Sequence, residues 1–233
     1  KLQPMEGIIA VFHVAQAVTA LHQAGFVHRD IKHRNVLLRG GESEGDGQRW
    51  QLADLDAAGK LGEEVWEFMG FPWSVWVPNV QIGAWPNAVP SPEQARKVKA
   101  HWSGGKDVEP LFVDPQHDAF QLGVLVYEVT CRTSLLTGRP GRQVLESLAD
   151  PEPINLEYCP AMAHIPGGPE LLELAKQLVR KDPKHRATVE TAVTKLRRLL
   201  LARGVPGSTK QEQAHSSVRC DEVDYCYNIK VQN

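Results

Sequence analysis

Three side chains in one short polar stretch could do chemistry together. In HRDIKHRNVLL, His28 to Leu38, Asp30, Lys32 and Asn35 stand two and five positions apart. Phosphoryl transfer needs a carboxylate beside the attacking hydroxyl, a cation beside the migrating phosphate and oxygen ligands for magnesium. The stretch offers all of these except a second metal carboxylate, and Asp54 in QLADLD could supply that. Met alone, an Asp-Lys-Asn cluster in a turn is ordinary solvated turn chemistry, so its meaning depends on the elements that hold it.

Upstream, Ile8, Val11, Phe12, Ala15, Val18 and Leu21 recur at spacings of three and four, which predicts an amphipathic helix from Met5 to Ala24. Gly25 stands where a left-handed C-cap would end it. Phe26-Val27-His28 reads as a short extended run. Asn35-Val36-Leu37-Leu38 and Trp50-Gln51-Leu52-Ala53 read as hairpin partners joined by the glycine-rich connector from Gly40 to Gly47. From Asp54 to Glu93 no regular period survives, yet Trp66, Trp73, Trp76 and Trp85 argue against disorder and for packing or a peptide-docking surface. Asp118 to Thr130 is apolar enough to be a buried helix. Glu170 to Arg180 and Thr188 to Arg203 alternate apolar and basic faces, the basic run from Lys195 to Arg203 reading as a solvated face. After Gly204 the composition turns polar. The expected architecture is mainly α with a small β-hairpin over residues 1–203, then a polar tail over 204–233.

The 233 residues carry 26 Lys plus Arg and 28 Asp plus Glu, a net charge of −2, which removes any global argument for nucleic acid or an anionic membrane as partner. Ala119 to Leu136, taken as the longest apolar-rich stretch, is interrupted by Gln121, Glu128 and Arg132, so no membrane span is expected. Cys131, Cys159, Cys220 and Cys226 show no paired CxxC spacing, so neither a zinc site nor a disulfide framework is indicated. A reducing intracellular compartment, cytoplasmic, is the corresponding expectation.

The stretch from His28 to Leu38 resembles the catalytic loop of eukaryotic protein kinases, and further landmarks follow in that family's order. Asp54-Leu55-Asp56 stands at the place of the DFG triplet and Ser91-Pro92-Glu93 at that of APE. DAFQLGVLVYEV, opened by Asp118, is similar to the DxWSxG helix, and DPKHR, ending at Arg186, to the late DPxxR element. The resemblance implies an α+β C-terminal lobe with a catalytic loop over 28–38 and an activation segment over 54–93. It implies that Asp30 orients or deprotonates a substrate hydroxyl, and that Lys32 neutralises the transferred phosphoryl group. Asn35 and Asp54 would hold the magnesium ions that bridge the ATP phosphates, and Leu37 would floor the adenine. Lys32 points to the serine/threonine branch, with protein Ser/Thr hydroxyls as substrate. His28 is expected to shape the loop, and Arg29 to receive a regulatory phosphate. Glu93 and Arg186 are expected to form a buried ion pair, and Asp118 to anchor the loop backbone.

The sequence also departs from the family. The helix before the loop begins near residue 5 and leaves no room for the Gly-rich loop, strand lysine and helix glutamate of an N-terminal lobe. With no methionine at residue 1, the expectation is a fragment or truncated form, little active alone, whose upper lobe belongs to a longer gene product. Asp56 replaces the DFG glycine, and Pro86 stands where a threonine normally contacts the catalytic pair. An insertion is expected around Lys97 to Val113, and Ser74 is the leading activation-segment phosphoacceptor by elimination. Two rival readings follow: a pseudokinase-like, non-catalytic interaction module, and a small-molecule phosphotransferase of related fold.

Overall fold

The computed structural model describes residues 4–39, 49–65, 67–68, 71–72, 89–104, 109–135 and 141–205. Ser74, Pro86, the four tryptophans from Trp66 to Trp85, the glycine-rich connector, Cys220 and Cys226 lie outside the described residues. The chain divides into two compact units, residues 1–196 and 197–233. Of the second, residues 197–205 are described; they end the last helix in a turn at Gly204, whose φ is +65°.

The described residues are mainly helical with small antiparallel sheets. Helix α1 (Pro4–Gln23) ends against Gly25, whose φ of +85° is the left-handed conformation glycine adopts without strain. Strand β1 (Phe26–Val27) follows and pairs antiparallel with β4 (Gly59–Lys60), Val27 opposite Gly59. The expected hairpin forms from β2 (Val36–Arg39) and β3 (Arg49–Leu52), with Val36 opposite Leu52. A further short pair, β5 (Glu67–Phe68) and β6 (Phe71–Pro72), lies in the stretch where no period could be read.

Helix α3 (Pro115–Cys131) is the central element. Asp114 caps it, its side chain accepting a hydrogen bond from the Gln116 N–H at 2.7 Å, and Pro115 occupies the first turn where no N–H is needed. Its residues from His117 to Tyr127 are all buried, as expected of a helix apolar on every side. It packs on α1 and on α5 (Gly168–Leu178). The second contact is tight: a Cβ on Gly123 would sit 2.6 Å from the Leu178 Cβ. The last helix, α6 (Val189–Leu201), completes the C-terminal part.

Four differences from the sequence reading have physical reasons. A helix α2 (Pro92–Trp102) grows directly out of SPE, closed by a capping box in which Ser91 and Gln94 exchange side-chain and backbone bonds. The supposed insertion is therefore partly this helix. Its far end, residues 111–113, is stitched to residues 62–65 by the Val113 N–H to Glu63 O and Val65 N–H to Leu111 O bonds. Helix α4 (Gly141–Ala149) packs on α2 and had no clear signal among short apolar runs. Cys131 and Cys159 form a disulfide, correcting the expectation that none was indicated. The partners are 28 residues apart and meet only because the end of α3 folds back beside the segment leading to Pro160, with Cα atoms 5.7 Å apart. Finally, among the described residues the helix nearest to spanning length is α1, whose Met5–Gln23 stretch has a mean hydropathy of 1.3, and not Ala119 to Leu136. By length and composition alone it could cross a membrane, but Val11, Val14, Ala15 and Val18 are core residues.

Candidate active site

The turn at Gly25 and strand β1 deliver the chain to His28, where backbone order passes from sheet pairing to side-chain anchors. Asp118, fully buried on α3, accepts from the His28 N–H at 2.8 Å and the Arg29 N–H at 2.7 Å. Its Oδ2 also lies 2.8 Å from His22 Nε2 on the last turn of α1. These carboxylate bonds hold Arg29 in a left-handed backbone, φ +67°, that a non-glycine residue adopts only when its surroundings over-determine it.

His28 is buried, and its two ring nitrogens have different tasks. Nδ1 accepts from the Asp30 N–H at 3.3 Å, so Nε2 must carry the proton it directs at Ala53 O, also 3.3 Å away. Burial pushes this imidazole below its ordinary range, opposed by the nearby Asp118, the Ala53 carbonyl and the Asp30 and Asp54 charges. The neutral ring thus ties Asp30 to the strand that leads into Asp54.

The three residues of the cluster converge. Lys32 Nζ lies 2.6 Å from Asp30 Oδ2, and Asn35 Nδ2 donates to the same oxygen at 3.0 Å and to the Asp30 carbonyl at 2.9 Å. Asp30 and Asn35 are buried, while the Lys32 side chain is about one-seventh exposed (15%). Hydrogen bonding of Nδ2 to Asp30 leaves the Asn35 side-chain oxygen as the atom available to a cation. Asp54 arrives by way of the hairpin, since the Ala53 N–H donates to Asn35 O at 2.8 Å just beyond the β2–β3 pairing. Asp54 is exposed and left-handed, φ +71°. Leu37 is 54% exposed and Leu55 51%, so the apolar face beside the loop is open. Asp56 is exposed in a turn closed by the Ala58 N–H to Leu55 O bond and does not have a positive φ, so the aspartate needs no glycine-like backbone there.

An oxygen-donor pair of one amide and one carboxylate fits magnesium, which takes few protein ligands and completes its shell with water and phosphate. Among the described residues no group of three or more His, Cys, Asp or Glu is arranged to hold a metal by itself. A cleft of about 640 Å³ beside α4, lined by Lys99, Glu146, Asp150 and Lys181, shares no residue with the loop.

Away from the loop, Glu93 and Arg186 meet as a forked pair, Nη1–Oε1 at 2.8 Å and Nη2–Oε2 at 3.0 Å. The guanidinium also donates to Arg180 O at 2.7 Å and Gln116 O at 2.6 Å, and lies 5.3 Å from the Phe120 ring centroid. This pair joins the start of α2 to the segment before α6.

Two residues of the site escaped the sequence reading, His22 and Gln121. Gln121 is a buried amide one helical turn from Asp118, with Oε1 accepting from the Ile31 N–H at 2.9 Å. Its Nε2 donates to Arg29 O at 2.9 Å and Val89 O at 3.2 Å. The signal was present: a glutamine inside an otherwise apolar helix must find partners for its amide.

Residues 3–67, which include the whole loop and Asp54, match the family described as "Fungal protein kinase". The chain is 23% identical over 174 residues to the serine/threonine-protein kinase PAK mbt of Drosophila melanogaster, covering 74% of this chain and 21% of that protein. It is 26% identical over 186 residues to the serine/threonine-protein kinase pkn2 of Myxococcus xanthus, covering 79% and 19%. With the serine/threonine-protein kinase PknL of Mycobacterium tuberculosis it shares 30% over 136 residues, 58% and 27% of the two chains. The matched stretches span between about a fifth and a quarter of these relatives' lengths.

Proposed function

We propose that this chain, a sequence related to serine/threonine protein kinases, carries the catalytic-loop part of an enzyme that transfers the γ-phosphate of ATP to a protein hydroxyl. The observation that carries the reading is the convergence of Lys32 and Asn35 on one oxygen of Asp30, at 2.6 and 3.0 Å, on a loop whose backbone is tied to α3. A carboxylate held this way accepts the proton of the attacking Ser or Thr hydroxyl as its oxygen bonds to the γ-phosphorus and the bond to the ADP oxygen breaks. Lys32 places positive charge beside that oxygen, where the migrating phosphoryl group must pass. Magnesium, when bound, neutralises the phosphate charges. Asn35 and Asp54 are its ligands in this reading, and Leu37 is the apolar contact for the adenine. The C-terminal-lobe assignment belongs to the same proposal and accounts for the open Leu37 and Leu55 face as the side on which a second lobe would close.

That same open face favours the second reading, a binding module without catalysis, because the described residues do not enclose an adenine. Calorimetric titration of the 233-residue chain with ATP, with and without magnesium, separates the two. The catalytic reading expects magnesium-dependent binding, however weak, that Asp54→Ala abolishes. Binding that is absent, or indifferent both to magnesium and to Asp54→Ala, would sink it. Phosphotransfer to peptide substrates should then fall at least a hundredfold in Asp30→Asn, in line with the contribution of a positioned acid–base group.

A further inference from the structure

We propose that Gln121 is a positioning residue that sets the orientation of Asp30 and ties it to the segment entering α2. Two peptide groups flank Asp30, and together they present four polar atoms. The preceding group offers the Arg29 carbonyl and the Asp30 N–H; the following one offers the Asp30 carbonyl and the Ile31 N–H. Each is taken by a side chain. Gln121 Nε2 donates to Arg29 O at 2.9 Å, and His28 Nδ1 accepts from the Asp30 N–H at 3.3 Å. Asn35 Nδ2 donates to Asp30 O at 2.9 Å, and Gln121 Oε1 accepts from the Ile31 N–H at 2.9 Å. Among the described residues, Gln121 therefore grips both peptides, one with each end of its amide.

Two peptide planes held at both ends leave the Asp30 φ and ψ almost no freedom. The direction of its Cα–Cβ bond is thereby set before any substrate arrives, which is the pre-organisation a proton acceptor requires. The second proton of Nε2 goes to Val89 O at 3.2 Å, two residues before the Ser91 cap of α2. One amide, 2% exposed and with both donors and its acceptor engaged, thus links the loop to the backbone that leads into SPE. The chemistry demands an amide: a hydroxyl lacks the reach for three partners, and a carboxylate cannot donate to two carbonyls.

The inference rests on Asp30 being the group that meets the substrate hydroxyl, but its test does not require turnover. Backbone amide exchange is measured by NMR on the 233-residue chain without nucleotide, for the wild type and for Gln121→Met, which keeps volume and removes every bond. The Ile31 amide should exchange at least about tenfold faster in the variant, the effect of an unpaired buried donor. The Asp30 carboxyl carbon resonance should shift, while the amides of α5 exchange at wild-type rates. Unchanged Ile31 exchange, or acceleration shared equally by α5, overturns the proposal, since the second is what plain destabilisation produces. If Gln121→Met does not fold, Gln121→Asn carries the same expectation, because it withdraws the amide by one methylene. A chain found catalytically inert leaves the positioning role standing. Phosphotransfer that persists undiminished in Asp30→Asn removes only the proposed function.

Discussion

Replacing Glu93 with alanine tests how far the forked pair supports the fold. The Arg186 side chain is fully buried and Glu93 is 13% exposed, so water can reach neither partner freely once the other is removed. The carbonyls of Arg180 and Gln116, at 2.7 and 2.6 Å, would remain on the guanidinium, but they carry no compensating charge. Breaking a buried pair from one side costs about 3–5 kcal/mol, a large part of the roughly 5–15 kcal/mol that holds a domain. For a chain of this size that converts to a fall in midpoint of about 6–20 °C, read by circular dichroism or calorimetry. Arg186→Met should cost a similar amount. The double variant Glu93→Ala/Arg186→Met should lie well short of the sum, because removing both partners leaves no buried charge unpaired. A loss below about 1 kcal/mol for Glu93→Ala, or strict additivity in the cycle, would refute the reasoning, since either is the signature of a solvent-screened surface pair.

Gly123→Ala should destabilise by about 1–3 kcal/mol, because its new Cβ would sit 2.6 Å from Leu178 Cβ and 2.9 Å from Val179 Cγ1 and force α3 and α5 apart; urea denaturation reads this, and a neutral result would mean that the helices slide freely. His28 and His117 are both pushed below the ordinary 6.5 by burial, and His117 Nδ1 has no hydrogen-bond partner among the described residues. As pH falls below 6.5 the unfolded chain takes up protons that the native imidazoles refuse, so their contribution is full above that value and declines below it by up to about 1.4 kcal/mol per pH unit for each group. Urea midpoints at pH 7.5 and 5 should show that direction, and a His117→Leu chain should show a shallower slope. Reduction of the Cys131–Cys159 bond, which closes a loop of 28 residues, should lower stability by about 3–4 kcal/mol on the chain-entropy account. Identical melting with and without reductant would show that the bond contributes nothing.

Much of the site was legible from residue type and spacing. Asp30, Lys32 and Asn35 lie within six positions, so the turn that gathers them is local, and the hairpin that brings Asp54 alongside is announced by two short apolar runs around a glycine-rich connector. Helices α1, α5 and α6 follow from their apolar periods, and α3 from a run apolar enough to be buried. Helix α2 was also within reach, since S-x-x-Q with a proline at the first helical position is a capping signature. Helix α4 is nine residues long, too short for a period to stand out.

The sequence by itself determined the local elements and the chemical identity of the cluster, because periodicity, capping and turn formation act over a few residues. The family resemblance implied Asp118 as an anchor of the loop backbone, but tertiary structure alone decided which groups it holds and what else orders the cluster. Asp118 grips backbone groups 89 and 90 residues away, Gln121 reaches back across 92, and Cys131 finds its partner 28 positions on. A polar side chain in an apolar helix shows only that some partner must exist. Which carbonyl or N–H it takes depends on how the helices pack, and no local spacing records that.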